Sequence, residues 1–234
     1  MSQDKLLFLL VTIISLIALV SFCLSPFFHI QEINFNGLYL LSAEQLNNQM
    51  KLYSNHNIFI LDRLSLEKEL TANSYIQNVR VIKKYPNKLN IEIRERRPIA
   101  CINNNGQYII FSADGFILEP FIKARKTVPE IKGAGYFLKS NRIQFTPELK
   151  NVVEGLKSID RTIVAMLTRI ELKTDGEIRV YANELPIIMG SDNNLKEKFR
   201  ILHSVFNESS FDTKIYEYID LSITKKPVIK LKTQ

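Results

Sequence analysis

The chain has 234 residues, with 31 Lys and Arg against 24 Asp and Glu, a formal charge of +7, no Trp and two Cys. Apolar content of 46% and charged content of 24% exclude the disordered and low-complexity classes. Two Cys make no disulfide framework, and no Cys/His spacing matches a zinc site.

The apolar residues are unevenly spread. Leu6–Leu24 carries no charge, and only Thr12, Ser15 and Ser21 interrupt its apolar character. As a helix this run spans about 28 Å, close to a bilayer's hydrocarbon core, and helix is the form in which one lipid-embedded segment satisfies its own backbone. The run exceeds a signal peptide's apolar region, and bulky Val20, Phe22 and Leu24 crowd its end where cleavage expects small residues. We therefore expect an uncleaved anchor over 6–24. The tail, 1–5, stays cytoplasmic on the charge of Lys5 and the α-amino group. Asp4 and Lys5 cancel, so the +7 belongs to residues 25–234. The basic clusters there, Lys83-Lys84 and Arg94–Arg97, lie in strand-like segments, which reads as solvated strand surface rather than a nucleic-acid site.

A first unit is expected over 27–97. His29–Phe35 alternates as a strand and Asn36-Gly37 turns it. Ser42-Ala43-Glu44-Gln45 reads as a capping box for a helix burying Leu46, Met50 and Leu52. A second helix over 64–71 offers Leu66 and Leu70, with Asp62 or Ser65 as cap. Two strands come next, with Val79, Val81 and Lys83 on one face of the first and Leu89, Ile91 and Ile93 on one face of the second. Tyr85-Pro86-Asn87-Lys88 is the turn between them, Asn87 being suited to a left-handed conformation. The order is β-α-α-β-β, one sheet face covered by two helices.

In a second unit, 98–234, Asn103–Gly106 marks a hairpin, Asp114-Gly115 a turn and Lys123–Lys126 a basic loop. Thr146 and Pro147 start an amphipathic helix running to Asp160. Strands are expected at 167–173, 178–182 and 187–189, then a helix near 193–206 with Leu195, Phe199, Leu202 and Phe206 inward. Strands at 214–223 and 228–231 finish the chain. In the first of these, Ile219, Leu221 and Ile223 face one way, and Tyr216, Tyr218, Asp220 and Ser222 the other. The fold class is α+β: a transmembrane helix, a β-α-α-β-β domain, then a mixed α/β domain ending in edge strands.

Signatures of catalysis are few. Ser65-Leu66-Glu67-Lys68 and Ser191-Asp192-Asn193 match two of the penicillin-binding triplets, but the K-T-G partner is absent, and each match sits at a helix entrance. A membrane-anchored wall enzyme using Ser65 and Lys68 is the alternative reading. No H-E-x-x-H, G-x-S-x-G or Gly-rich phosphate loop occurs, and His29, His56 and His203 stand apart. We expect no catalytic, metal or cofactor site. Recognition falls instead to an exposed strand edge at the chain's end.

The anchor, the β-α-α-β-β order, "NIFILD" (57–62) and "VRVIKKYPNKLNIEIRERRPIA" (79–100) together resemble the POTRA module of the bacterial cell-division family FtsQ/DivIB. "FSADGFIL" (111–118), "VPEIKG" (128–133) and "YIDLS" (218–222) extend the resemblance, with Ser222 where the family commonly has Arg. POTRA modules also occur in outer-membrane assembly factors, whose barrel the remaining residues leave no room for. The resemblance implies a non-catalytic, single-pass scaffold of the inner membrane. Its bulk is extracytoplasmic at the septum, linking early and late division proteins and capturing FtsB with FtsL by strand addition. Carried over by position, the partner contacts are Ser222, Ile223, Thr224, Lys225, Val228 and Ile229, with Val81 and Lys83 serving recruitment.

Overall fold

A computed structural model describes residues 3–118, 128–133, 135–191, 193–208 and 211–232. The apolar run forms helix α1 (Gln3–Cys23), with no buried side chain. Its 21 residues reach about 31 Å, long and apolar enough to cross a membrane. The chain divides into two units, Met1–Arg96 and Arg97–Gln234.

In the first unit, β1 (Glu32–Asn36), α2 (Ala43–Met50), α3 (Arg63–Thr71), β2 (Ile76–Lys84) and β3 (Lys88–Glu95) succeed one another. The sheet order is β1-β3-β2, with β1 parallel and β2 antiparallel to β3. Both helices cover one face because only that face is apolar: Leu46, Met50, Leu66 and Leu70 pack on Val79, Val81, Leu89, Ile91 and Ile93. The helix starts match their caps. Ser42 Oγ accepts from Gln45 N–H at 3.1 Å, and Asp62 Oδ1 from Leu64 N–H at 3.0 Å. Leu52 departs from expectation and is exposed; a 3-10 turn at Lys51–Tyr53 rotates it off the apolar stripe and half-buries Tyr53 instead. The turn differs as well. The chain reverses at a cis Tyr85–Pro86 peptide, and Asn87 keeps a negative φ while its carbonyl accepts from Gln31 N–H at 2.9 Å.

The end of β3 clasps the unit. The buried Glu95 carboxylate accepts from three backbone N–H groups, those of Tyr39 (3.0 Å), Leu40 (2.6 Å) and Leu41 (3.0 Å). Arg96 then donates to the carbonyls of Ser74 at 3.1 Å and Ile76 at 2.6 Å. The β1–α2 loop and the start of β2 are thereby tied to one end of β3.

The second unit is built on a mixed sheet. Its elements are β4 (Pro98–Asn104), β5 (Gln107–Ser112), β6 (Ile117–Leu118), β7 (Glu130–Lys132), β8 (Tyr136–Lys139), β9 (Arg142–Phe145), α4 (Pro147–Lys157), α5 (Arg161–Met166), β10 (Leu167–Leu172), β11 (Ile178–Ala182), β12 (Leu185–Gly190), α6 (Leu195–Phe206), β13 (Tyr216–Asp220) and β14 (Val228–Leu231). Nine strands run in the order β14-β13-β12-β11-β10-β7-β4-β5-β6, and β8 and β9 form a separate hairpin. The core gathers Leu149, Val152 and Leu156 of α4 and Phe199 and Leu202 of α6 with Ile170, Val180, Ile187 and Ile219 of the sheet. At Gly155 a Cβ would stand 2.2 Å from the Phe199 ring, so a side chain there would force α4 and α6 apart.

Two elements depart from the sequence pattern. The helix expected to reach Asp160 stops at Lys157, where Ser158 Oγ donates to the Gly155 carbonyl at 2.6 Å, and α5 starts at Arg161. The β8–β9 hairpin turns at Ser140-Asn141, and the left-handed φ, 54°, falls on Ser140 rather than on the Asn that favours it. The basic loop Lys123–Lys126 lies outside the described residues.

The clasp makes a direct prediction. Glu95→Ala leaves three N–H groups without their acceptor and lowers the unfolding free energy by about 3 kcal/mol, whereas exposed Glu92→Ala on the same strand changes it by less than about 0.5 kcal/mol. Denaturant unfolding of the full chain in detergent measures both.

Candidate interaction surface

The surface is built where the nine-stranded sheet ends. Ile219 and Leu221 are fully buried, and Leu221 N–H donates to the Ile188 carbonyl at 2.8 Å, fixing the end of β13 beside β12. The chain then turns. Ser222 N–H donates to Asp220 Oδ1 at 2.8 Å, and Lys226 N–H to the Ile223 carbonyl at 3.0 Å. It returns as β14, antiparallel to β13, pairing Asp220 with Val228, Ile219 with Ile229 and Tyr218 with Lys230. Every residue of β14 is exposed, and among the described strands none pairs with its outer edge.

The residues expected to bind a partner come together here. Ser222, Ile223, Thr224 and Lys225 form the connecting turn, Thr224 half-buried and the others exposed; Val228 and Ile229 begin β14. Two side chains depart from the expected alternation. Ile223 does not share the buried face of Ile219 and Leu221, because the strand ends at Asp220, and it is 61% exposed. Alternation sets Tyr216 opposite Ile219, but a register shift between Tyr216 and Tyr218 turns it onto the core, where it stacks on Phe211 at 5.2 Å. Leu231, apolar with Val228 and Ile229 in the sequence, is exposed two residues beyond Ile229, and the structure adds Lys230, which lies 5.7 Å over the Tyr218 ring and 3.1 Å from Glu217. The period of two from Ile229 signals Leu231; nothing local signals the Lys230 contacts.

The sheet face opposite the helices carries charge. Arg169 lies 4.1 Å over the Tyr181 ring and 2.8 Å from Glu171, and the Tyr181 hydroxyl donates to Glu171 at 3.1 Å. Glu177 accepts from Lys173 at 2.7 Å and Arg179 at 2.9 Å, and these bonds, Arg179 first, hold its carboxyl below the ordinary range. Glu177 in turn raises the Arg179 guanidinium.

In the first unit, Val81 is buried, and its backbone N–H at the outer edge of β2 donates to Glu67 Oε1 at 2.8 Å. Lys83 is half-buried, its ammonium donating to the Leu61 carbonyl at 2.8 Å. Ser65 Oγ donates to Asp62 Oδ2 at 2.7 Å, so the hydroxyl serves the entrance of α3 beside an exposed Lys68. Ser191 falls in the other unit, and its carbonyl accepts from buried Lys198 at 3.0 Å; Asp192 lies outside the described residues. His203 is not isolated, its Nε2 standing 3.0 Å from Asp160 Oδ2.

Similarity to known proteins respects the same division. A family model described as "POTRA domain, FtsQ-type" matches residues 28–96. The cell division protein DivIB of Clostridium acetobutylicum is 26% identical over 225 residues, covering 91% of this chain and 87% of that protein. The cell division protein FtsQ of Geotalea daltonii is 23% identical over 219 residues, 88% of this chain and 77% of that one. Among solved structures, the major extracytoplasmic domain of DivIB from Geobacillus stearothermophilus matches with a TM-score of 0.35 and 13% identity, over 51% of this chain and 99% of that one.

Gly190, at φ 65°, is where the surface meets the sheet, since a Cβ there would stand 2.9 Å from Ser222 Cβ. Gly190→Ala destabilises the chain by about 2 kcal/mol, and Ser222→Gly added to it recovers part of the loss. Unfolding midpoints of the single and double variants provide the check.

Proposed function

Because residues 28–96 are an FtsQ-type POTRA domain in a chain similar along most of its length to DivIB and FtsQ cell-division proteins, we propose that this protein is a non-catalytic scaffold of the bacterial divisome. It is a single-pass protein of the cytoplasmic membrane, with tail 1–5 inside, residues 6–24 in the bilayer, and the domains 27–97 and 98–234 outside. At the septum it links early and late division proteins. It captures the FtsB/FtsL pair by taking a partner strand against β14, through Ser222, Ile223, Thr224, Lys225, Val228 and Ile229.

The observation that carries this reading is β14 itself, paired on one side, exposed along its whole length and apolar at Val228, Ile229 and Leu231. Main-chain bonding to such an edge supplies affinity, and pockets for alternate side chains supply specificity. The absence of a catalytic role is favoured by Ser65, whose hydroxyl is engaged in the helix cap. Recruitment to the division site is assigned to the outer edge of β2 at Val81 and Lys83. Val81 acts there through strand register, since its side chain is buried.

Capture of FtsB and FtsL by the full chain tests the proposal. Truncation after Lys226 removes β14 while keeping buried Leu221, and it abolishes capture; Ile229→Asp weakens binding by about 2 kcal/mol, roughly 30-fold in Kd. Undiminished capture by the truncated chain would overturn the edge-strand mechanism. Lys83→Glu is expected to reduce septal localisation and leave FtsB/FtsL capture unchanged.

A further inference from the structure

One apolar feature of the first unit has no part in strand addition. Beginning in the last turn of α1, aromatic rings touch in an unbroken string. Phe22 meets Phe27 at 6.1 Å and Phe28 at 5.2 Å, Phe28 meets Phe59 at 4.9 Å, and Phe59 stacks on Tyr85 at 5.0 Å. Phe28 is half-buried, but Phe27, Phe59 and Tyr85 are exposed, and Ile60 beside them is 70% exposed. These side chains come from three places in the chain, the segment after α1, the loop before α3 and the β2–β3 turn. A lone exposed aromatic needs no explanation; a contiguous ridge drawn from three segments does.

The junction that presents the ridge is built rather than loose. Asn57, 8% exposed, donates through Nδ2 to the Cys23 carbonyl at the end of α1 (2.8 Å), while its Oδ1 accepts from Phe59 N–H at 2.9 Å. Ile58 N–H donates to the Phe28 carbonyl at 2.9 Å, and Ile30 N–H to the His56 carbonyl at 2.9 Å. One side chain thus bonds the end of α1 and the loop that carries Phe59 and Ile60.

We propose that this ridge lies in the headgroup region of the bilayer that α1 crosses, seating the first unit against the membrane in a fixed orientation. The inference rests on the reading of α1 as a membrane span. The occupant is lipid because the ridge continues the apolar surface of α1 without a gap, and rings with one wet and one apolar side collect at that depth. Exposed Lys84 flanks Tyr85 and attracts anionic headgroups, while Lys88, directly across the hairpin, is paired with Glu32. The opposite end of the unit is free of the ridge. Tyr39, 69% exposed, is bonded through its N–H to Glu95, eight strand residues and about 26 Å along β3 from the Tyr85 turn.

The chain contains no Trp, so single-Trp variants report without background. Full-length chains carrying Phe27→Trp, Ile60→Trp, Tyr39→Trp or Phe8→Trp are reconstituted into vesicles of phosphatidylcholine and phosphatidylglycerol, with or without bromine high on the acyl chains. Far-UV circular dichroism checks that each is folded. Trp at 27 and 60 is expected to be quenched by brominated lipid and to emit to the blue of Trp at 39, which is unquenched. Quenching at 8 without quenching at 27 and 60 would overturn the proposal while leaving the span intact, and would mark the ridge as a protein-binding surface. No quenching at 8 would remove the span, and the proposal with it.

Discussion

A β-strand has two edges, and a sheet that does not close must leave two of them without a neighbour. In this chain that demand falls on the last strand. β13 enters beside β12 in parallel and buries Ile219 and Leu221, and after a tight turn four residues follow as strand β14. Those four add to the outside of β13, where no helix covers them. The apolar, half-paired edge is thus a product of the order in which the elements arrive. At the opposite end of the sheet the described edge is shorter, the two residues of β6. Of the two described edges of this sheet, β14 offers a partner strand the longer template.

The first unit meets its polar obligations by a different device. Arg96 belongs to a basic cluster that reads in the sequence as solvated strand surface, yet it binds two backbone carbonyls, and its neighbour Glu95 binds three backbone N–H groups. One carboxylate replaces three missing strand or helix acceptors, and one guanidinium gathers two carbonyls. Burial of such groups is favourable only because the bonds are made. The same holds at Ser65 and Asp62, where residue types that suggest chemistry in one dimension serve a helix terminus in three.

The parts of the fold legible in the sequence are those set by short-range physics. Leu89, Ile91 and Ile93 alternate over one well-filled core and mark their strand and its buried face directly; Ser42, Asp62 and Thr146 announce three helices by their caps. The hidden parts depend on partners distant in sequence. The register shift that swings Tyr216 inward is created by pairing with Leu231, and the end of β13 that exposes Ile223 is set by the turn needed to place β14. Lys198 reads as a surface residue of α6 but is buried, because the carbonyls of Met189 and Ser191 at the end of β12 lie where its ammonium can reach. Of the candidate surface, the location is visible in the sequence and the side-chain directions are only partly so.

The parallel pairing of β1 with β3 has a mechanical meaning. The chain enters the first unit at the start of β1 and leaves it at the far end of β3, with Glu32 beside Lys88 and Asn36 beside Glu92. Tension applied between the start of β1 and the exit at Arg96 therefore pulls the two strands lengthwise past each other. The hydrogen bonds between them are loaded together and cannot be peeled apart one at a time. With Glu95 and Arg96 bonded across the exit, this small domain resists extension along the direction of β1 and β3.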